Sequence, residues 1–181
     1  MEKRKFVFDT SSLSHAFEDF THAIGSALSY CLKKRIEASV CDVSRFVKTR
    51  AKSTRTTREL IMSCTKDVCM APTAIVDELM KSPQMRDEIE LLFYGRDTEL
   101  RRRYGITARG FNLPKLSDIP VPRSAIEKVR EVARKKGYSI SEQDMSAIAL
   151  AMLNGATLVT ADKKMCELAR VLNVDVIYTV E

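Results

Sequence analysis

No apolar run in this 181-residue chain approaches the ~20 residues that cross a bilayer. The N-terminal Met1-Glu2-Lys3-Arg4-Lys5 leads into a short strand-like run and lacks the apolar stretch of a signal peptide. A soluble, cytoplasmic protein with no membrane partner is the expectation. The five cysteines, Cys31, Cys41, Cys64, Cys69 and Cys166, form no C-x-x-C pair and show no zinc-ribbon spacing. They read as reduced thiols packed as small apolar side chains. Histidine is confined to His15 and His22, on one face of the first expected helix and away from any Ser-His-Asp or Cys-His pattern. Both read as ordinary helix residues rather than bases. Internal repeats and low-complexity tracts are absent, and 45% hydrophobic residues exclude a disordered chain. The length suits one domain with a full core.

What the chain does have is positive charge. Its net charge is +6, which suits a polyanionic partner. The distribution says more than the total. Arg45, Lys48, Arg50, Lys52, Arg55 and Arg58 fall within one Ser/Thr-rich stretch that contains no acid, a composition fitted to phosphate contacts. A second cluster holds Arg96, Arg101, Arg102, Arg103 and Arg109. The plain reading of each cluster is a solvated face, and the first rises above it because it is single-signed and rich in Ser and Thr.

The patterning predicts alternating strands and helices. Lys5 to Phe8 is a strand ending at Asp9, and Asp9-Thr10-Ser11-Ser12 is a turn and helix cap. Leu13, Phe17, Phe20, Ile24, Ala27, Leu28 and Leu32 form one helical stripe to about Ile36. Val68 to Ala71 is a second strand. Thr73 is placed to cap a helix running through Met80. Residues from Pro83 to Tyr104 read as charged helix, and Gly105 to Pro122 as a loop with a short strand at Ile119 to Val121. A helix from Ser124 stops at Gly137. Ser141 caps the next one, Asn154-Gly155 stops it, and Ala156 to Thr160 is a strand. A helix from Lys163 to Leu172 and a strand from Val174 to Val180 complete the chain. Strands alternating with helices imply an α/β fold with a parallel sheet and helices on both faces. A helical and loop insertion is expected at about 81–122.

Four acids then fall at one rim. Ligands of open parallel sheets bind beyond the carboxyl ends of the strands. Asp9 and Asp162 each follow a strand there, Glu78 lies about a turn and a half into the helix after the second strand, and Asp144 opens a helix that returns to the same edge. Each has a plain explanation as a cap, turn or solvated residue. Together they suit a hard divalent cation, Mg²⁺ or Mn²⁺, which offsets carboxylate repulsion and takes oxygen ligands. Such an ion stabilises charge on a phosphodiester and activates water.

Three pieces of the chain resemble the PIN-domain nucleases. They are Phe6-Val7-Phe8-Asp9-Thr10-Ser11, then Ala71-Pro72-Thr73-Ala74-Ile75-Val76-Asp77-Glu78-Leu79, and finally Asp144 through Asp162 with its exit Leu158-Val159-Thr160-Ala161-Asp162. The eighteen-residue step between those two aspartates also matches the family. The resemblance implies a three-layer α/β/α sandwich around a short central parallel sheet, and Mg²⁺- or Mn²⁺-dependent hydrolysis of RNA, usually endonucleolytic. It carries Asp9, Glu78, Asp144 and Asp162 over as the acidic site, with Ser11 and Thr160 as polar supports. Glu142 reads as a solvated first-turn acid and Asp77 as a surface residue. A homodimer and an inhibitory protein partner are further family possibilities. Two departures leave the subfamily open. The stretches before Glu78 and from Lys81 to Pro122 are longer than in the small toxins of toxin–antitoxin pairs, and no zinc ribbon of the ribosome-maturation type is present. A non-catalytic RNA-binding module is the alternative. A phosphatase using Asp9 as nucleophile would need an aspartate where Ser11 stands.

Overall fold

Parallel pairing dictates long apolar runs, because a parallel sheet is buried on both faces. The computed structural model describes residues 1–44 and 52–180 and shows this pattern. The strands β1 (Lys5–Phe8), β2 (Val68–Pro72), β3 (Ser117–Ile119), β4 (Thr157–Thr160) and β5 (Val176–Tyr178) form one sheet in the order β3-β2-β1-β4-β5. Every pairing is parallel. The central strands supply Phe6, Val7, Phe8, Cys69, Met70, Ala71, Leu158 and Val159 to the core, all buried. Full burial of one large apolar side chain contributes about 1.5–3 kcal/mol.

Helices fill the connections: α1 (Thr10–Phe17), α2 (Phe20–Lys33), α3 (Lys52–Ser63), α4 (Thr73–Met80), α5 (Arg86–Tyr94), α6 (Thr98–Tyr104), α7 (Arg123–Lys136), α8 (Glu142–Asn154) and α9 (Lys163–Val171). A short 3-10 turn spans Ala38–Val40. The Asn154-Gly155 stop forms as expected. Gly155 takes the left-handed conformation at φ 58°, which costs a residue without Cβ nothing. The chain then turns directly into β4.

The long first helix expected to Ile36 is two helices. Asp19 adopts a left-handed φ of 53° between them. Leu13, Phe17, Phe20, Ile24, Ala27 and Leu28 are buried as the stripe predicts, whereas Leu32 is 52% exposed near the end of the second helix. The group that satisfies the carbonyls at the break lies far away in sequence. Arg58 of α3 is buried, donates from Nε to the Ala16 carbonyl at 2.8 Å and bonds the Glu18 carbonyl through a second guanidinium nitrogen. It also lies 5.5 Å from the centre of the Phe20 ring. Carbonyls at a helix C-terminus lack intrahelical donors, and a cation satisfies them. Burial pushes the Arg58 pKa down, against the pull of Asp19, Glu18 and Glu88.

The cysteine expectation fails for four of the five. Cys31 is bridged to Cys41, and Cys64 to Cys69. Their Cα atoms lie 5.9 and 5.7 Å apart, the usual disulfide reach. One bridge folds the segment after α2 back onto that helix. The other ties the end of α3 to β2. Cys166 is buried and belongs to neither bridge.

The segment at 81–122 contains α5 and α6, and it also supplies edge strand β3, three residues that begin earlier than the expected Ile119 to Val121. It is fastened at several points. The Leu116 amide donates to the Leu92 carbonyl at 2.9 Å. Tyr94 donates to Asp118 Oδ2 at 2.9 Å, and Thr73 donates to the other oxygen of that carboxylate. Thr73 therefore does not cap α4. Pro72 occupies the cap position and makes no side-chain capping bond. Tyr104 of α6 lies against α2, where its ring comes so close to Gly25 that a Cβ there would collide with it.

Candidate active site

Asp9 follows β1 and is fully buried. Its Oδ1 accepts the Ser12 amide at 2.8 Å, capping α1. Ser11 Oγ donates to the carboxylate at 2.9 Å, and Thr160 Oγ1 donates to Oδ2 at 2.5 Å. The two hydroxyls also accept from the loop after β4: Ser11 Oγ from the Ala161 amide and Thr160 Oγ1 from the Asp162 amide, both at 3.0 Å. The ends of β1 and β4 are thus sewn together around one carboxylate. Burial pushes the Asp9 pKa up, and the bonds from Thr160, Ser12 and Ser11 pull against it.

Asp162 caps α9 through Oδ1, accepting from Lys164 at 2.8 Å and Met165 at 3.2 Å. Its Oδ2 accepts no hydrogen bond among the described residues. Glu78 is exposed on α4 and accepts from Thr10 Oγ1 at 3.4 Å. Asp144 is the third residue of α8, half-buried, and its amide donates to the capping Ser141 hydroxyl at 3.1 Å. Burial raises the Asp144 pKa and the bond with Ser141 lowers it, while the charges of Asp9, Asp162 and Glu78 raise it further. The structure therefore gathers all four acids into one electrostatic neighbourhood.

This places Asp144 under strain of a testable kind. An acid whose folded-state pKa is raised holds its proton more tightly folded than unfolded. Stability is therefore lost as pH rises from the ordinary aspartate value of 3.8 through the folded value. In metal-free protein, Asp144→Asn should melt a few degrees above the wild type at pH 7, and the gap should close near pH 4. A gap of opposite sign, or one that ignores pH, would show that the four charges do not repel as drawn.

Four oxygen-donor acids whose charges oppose one another at Asp144 fit a hard divalent ion by donor chemistry. Among the described residues, no three acids, histidines or cysteines close into a ready-made cage. An ion here would take few direct carboxylate ligands and keep water on its other positions, as Mg²⁺ does.

The other candidates separate. Arg58 is withdrawn from the basic set, because its guanidinium is buried against helix-end carbonyls rather than turned to a ligand. Arg55 is exposed on α3. Arg45, Lys48 and Arg50, with the Lys52 side chain, lie outside the described residues. Glu142 pairs with Arg130 at 3.1 Å. Two contributors went unread in the sequence. Thr10 reaches Glu78, and Ser12 holds Asp9 through its amide and also bonds the Asp9 carbonyl at 3.0 Å. The Asp-Thr-Ser-Ser run carries the signal for both.

The PIN domain family model matches residues 6–171. The chain belongs to the PIN-domain family. The five-stranded parallel sheet with helices on both faces is the PIN-like α/β/α sandwich, and PIN domains are in general nuclease domains. Among curated proteins, Endoribonuclease Nob1 of Methanocaldococcus jannaschii is 33% identical over 78 residues, covering 43% of this chain and 40% of that protein. The match thus spans two fifths of the length of that relative. Among solved structures, this PIN domain is similar to VapBC2 from Rickettsia felis bound to a DNA fragment from their promoter, at 14% identity and a TM-score of 0.45, covering 96% of this chain and 97% of that one. It is also similar to VapBC-1 from nontypeable Haemophilus influenzae, at 14% identity and 0.46, covering 98% and 99%. No helix among the described residues is long and apolar enough to cross a membrane.

Proposed function

We propose that this PIN domain is a divalent-metal-dependent endoribonuclease. The observation that carries the reading is the buried Asp9 carboxylate, held between β1 and β4 by Ser11, Ser12 and Thr160, together with the half-buried Asp144, whose ionisation Asp9, Asp162 and Glu78 oppose. Clustered acids of this kind are costly in a purely structural role and useful around a cation. The endoribonuclease relative supports RNA as the substrate.

In this reading Asp9, Asp144 and Asp162 hold Mg²⁺ or Mn²⁺ directly or through water, and Glu78 completes the acidic rim. When bound, the ion supplies charge stabilisation at the phosphodiester and activates water. The chain's own residues do the positioning. Ser11 and Thr160 keep Asp9 in one orientation, and their hydrogen bonds pull against the rise in its pKa that burial causes. Ser141 fixes the first turn of α8 and so the place of Asp144. The exposed Glu78 orients the attacking water. That water forms the new bond to phosphorus, the 3′-oxygen departs and takes a proton, and the products carry a 5′-phosphate and a 3′-hydroxyl. The basic stretch Arg45, Lys48, Arg50, Lys52 and Arg55 would follow the RNA backbone.

Purified protein stripped with EDTA should leave a labelled single-stranded RNA intact and cut it internally once Mn²⁺ is returned. Treatment with phosphatase and kinase identifies the new ends. Cleavage that ignores EDTA, or that leaves 2′,3′-cyclic phosphate, would mean attack by the neighbouring 2′-hydroxyl and would sink the mechanism.

A further inference from the structure

The second basic cluster is not uniform once its partners are counted. Arg101 pairs with Asp97 at 2.7 Å, Arg102 with Glu99 at 2.8 Å and Arg103 with Glu99 at 3.9 Å. Arg96 lies 5.2 Å from the centre of the Tyr94 ring. Arg109, and Lys115 just beyond the cluster, make no ion pair among the described residues. Both are exposed, and both line an open cavity of about 350 Å³ bordered by α5, α6 and the loop that leads to β3.

The wall of this cavity is built rather than incidental. Asp97 is a buried lining residue whose Oδ1 takes Arg101 and whose Oδ2 accepts the Thr107 hydroxyl at 3.0 Å and the Ala108 amide at 2.7 Å. One carboxylate therefore shapes the loop and is already satisfied, so it does not repel an anion as a bare charge would. Phe111 is half-buried and presents an aromatic surface, with Leu113 beside it. The cavity thus combines an aromatic surface with two uncommitted cations. Its volume falls in the range of about 300–1,000 Å³ typical of pockets for small ligands. A stacking ring flanked by phosphate-binding cations is how single-stranded nucleic acid is held without sequence readout.

We propose that this cavity holds one unstacked nucleotide of a single-stranded RNA, the base against Phe111 and the adjoining phosphates on Arg109 and Lys115. The inference rests on RNA being the substrate, and it gives the 81–122 segment a task of its own: gripping the strand away from the carboxylates.

Binding of a labelled single-stranded RNA to the full chain in EDTA, followed by fluorescence anisotropy, tests this without cleavage. Phe111→Leu should weaken binding by about 5- to 100-fold, the usual loss on removing one base stack. It should weaken binding of a fully paired duplex far less. Arg109→Ala with Lys115→Ala should lower the slope of log Kd against log salt by about 1.4, at about 0.7 per phosphate on a single strand. Both cations are exposed, so this second variant reports even if Phe111→Leu impairs folding. Unchanged affinity and slope in the two variants overturn the proposal. So does a free nucleoside monophosphate that binds more tightly than the RNA and depends on Phe111, which would make the cavity an effector site. Cleavage assays on the same variants separate the two readings. RNA cutting with no effect of Phe111 leaves the nuclease and removes the subsite, whereas Phe111-dependent binding with no cutting under Mn²⁺ leaves the subsite and removes the nuclease.

Discussion

Asp9→Asn should lower kcat/KM for Mn²⁺-dependent RNA cleavage by at least about 100-fold, since charge stabilisation by a positioned ion is worth several kcal/mol. The variant should nevertheless fold. An asparagine oxygen still accepts the Ser12 amide as a helix cap. Ser11 and Thr160 are hydroxyls, which can turn to accept from the new amide as readily as they donate to the old carboxylate. Removing a buried charge whose pKa is already pushed up should leave the metal-free protein at least as thermostable as the wild type. The combination of lost activity and kept or raised melting temperature is the signature of a group maintained for chemistry at a cost in stability. Full activity of Asp9→Asn at saturating Mn²⁺ would falsify the assignment.

Reduction of the two disulfides should have the largest effect on stability. Closing a loop by a disulfide restricts the unfolded chain. The bridges here join residues ten and five apart, and the chain-entropy relation gives about 2–3 kcal/mol for each. In a protein of this size 1 kcal/mol moves the melting temperature by about 2–4 °C. Full reduction with a dithiol should therefore lower it on the order of 10–20 °C. Alkylation of the unfolded, unreduced chain supplies the check on the bridges themselves. One thiol, that of Cys166, should react. If all five react, the pairing is absent from the protein in solution. Such bridges persist in oxidising compartments and in the cytosol of hyperthermophiles, so the expected cytoplasmic location bears directly on this measurement.

The parts of the fold legible in the sequence are those with local causes. Ser141, the Gly155 stop and the run into β4 each act within a few residues, and the structure shows them as read. The parallel sheet follows from continuous apolar runs flanked by helices. What stayed hidden depends on partners distant in the chain. The break at Asp19 looks like uninterrupted helix because its helix-end carbonyls are satisfied by Arg58, some forty residues on. Arg58 in turn looks like one more phosphate contact in a basic stretch, since composition cannot show which cation turns inward. The cysteine spacings match no metal motif, and nothing in them says that a turn brings each pair together. Thr73 has the residue type of a cap but spends its hydroxyl on Asp118. The acidic rim lies between these cases. Topology alone predicts that the four acids share an edge, but the hydroxyl stitching between β1 and β4 is tertiary.

The contact of Tyr104 with Gly25 leaves no room for a side chain between α6 and α2. The ring fills the space a side chain would take, and its hydroxyl bonds both the ring and the carbonyl of His22. α6 is keyed into α2, and α2 is locked to α1 through Arg58, whose first turn Asp9 holds. The segment carrying Arg109 and Phe111 is thus joined to the acidic edge by an unbroken series of contacts, and a side chain added at Gly25 would have to displace Tyr104 from it.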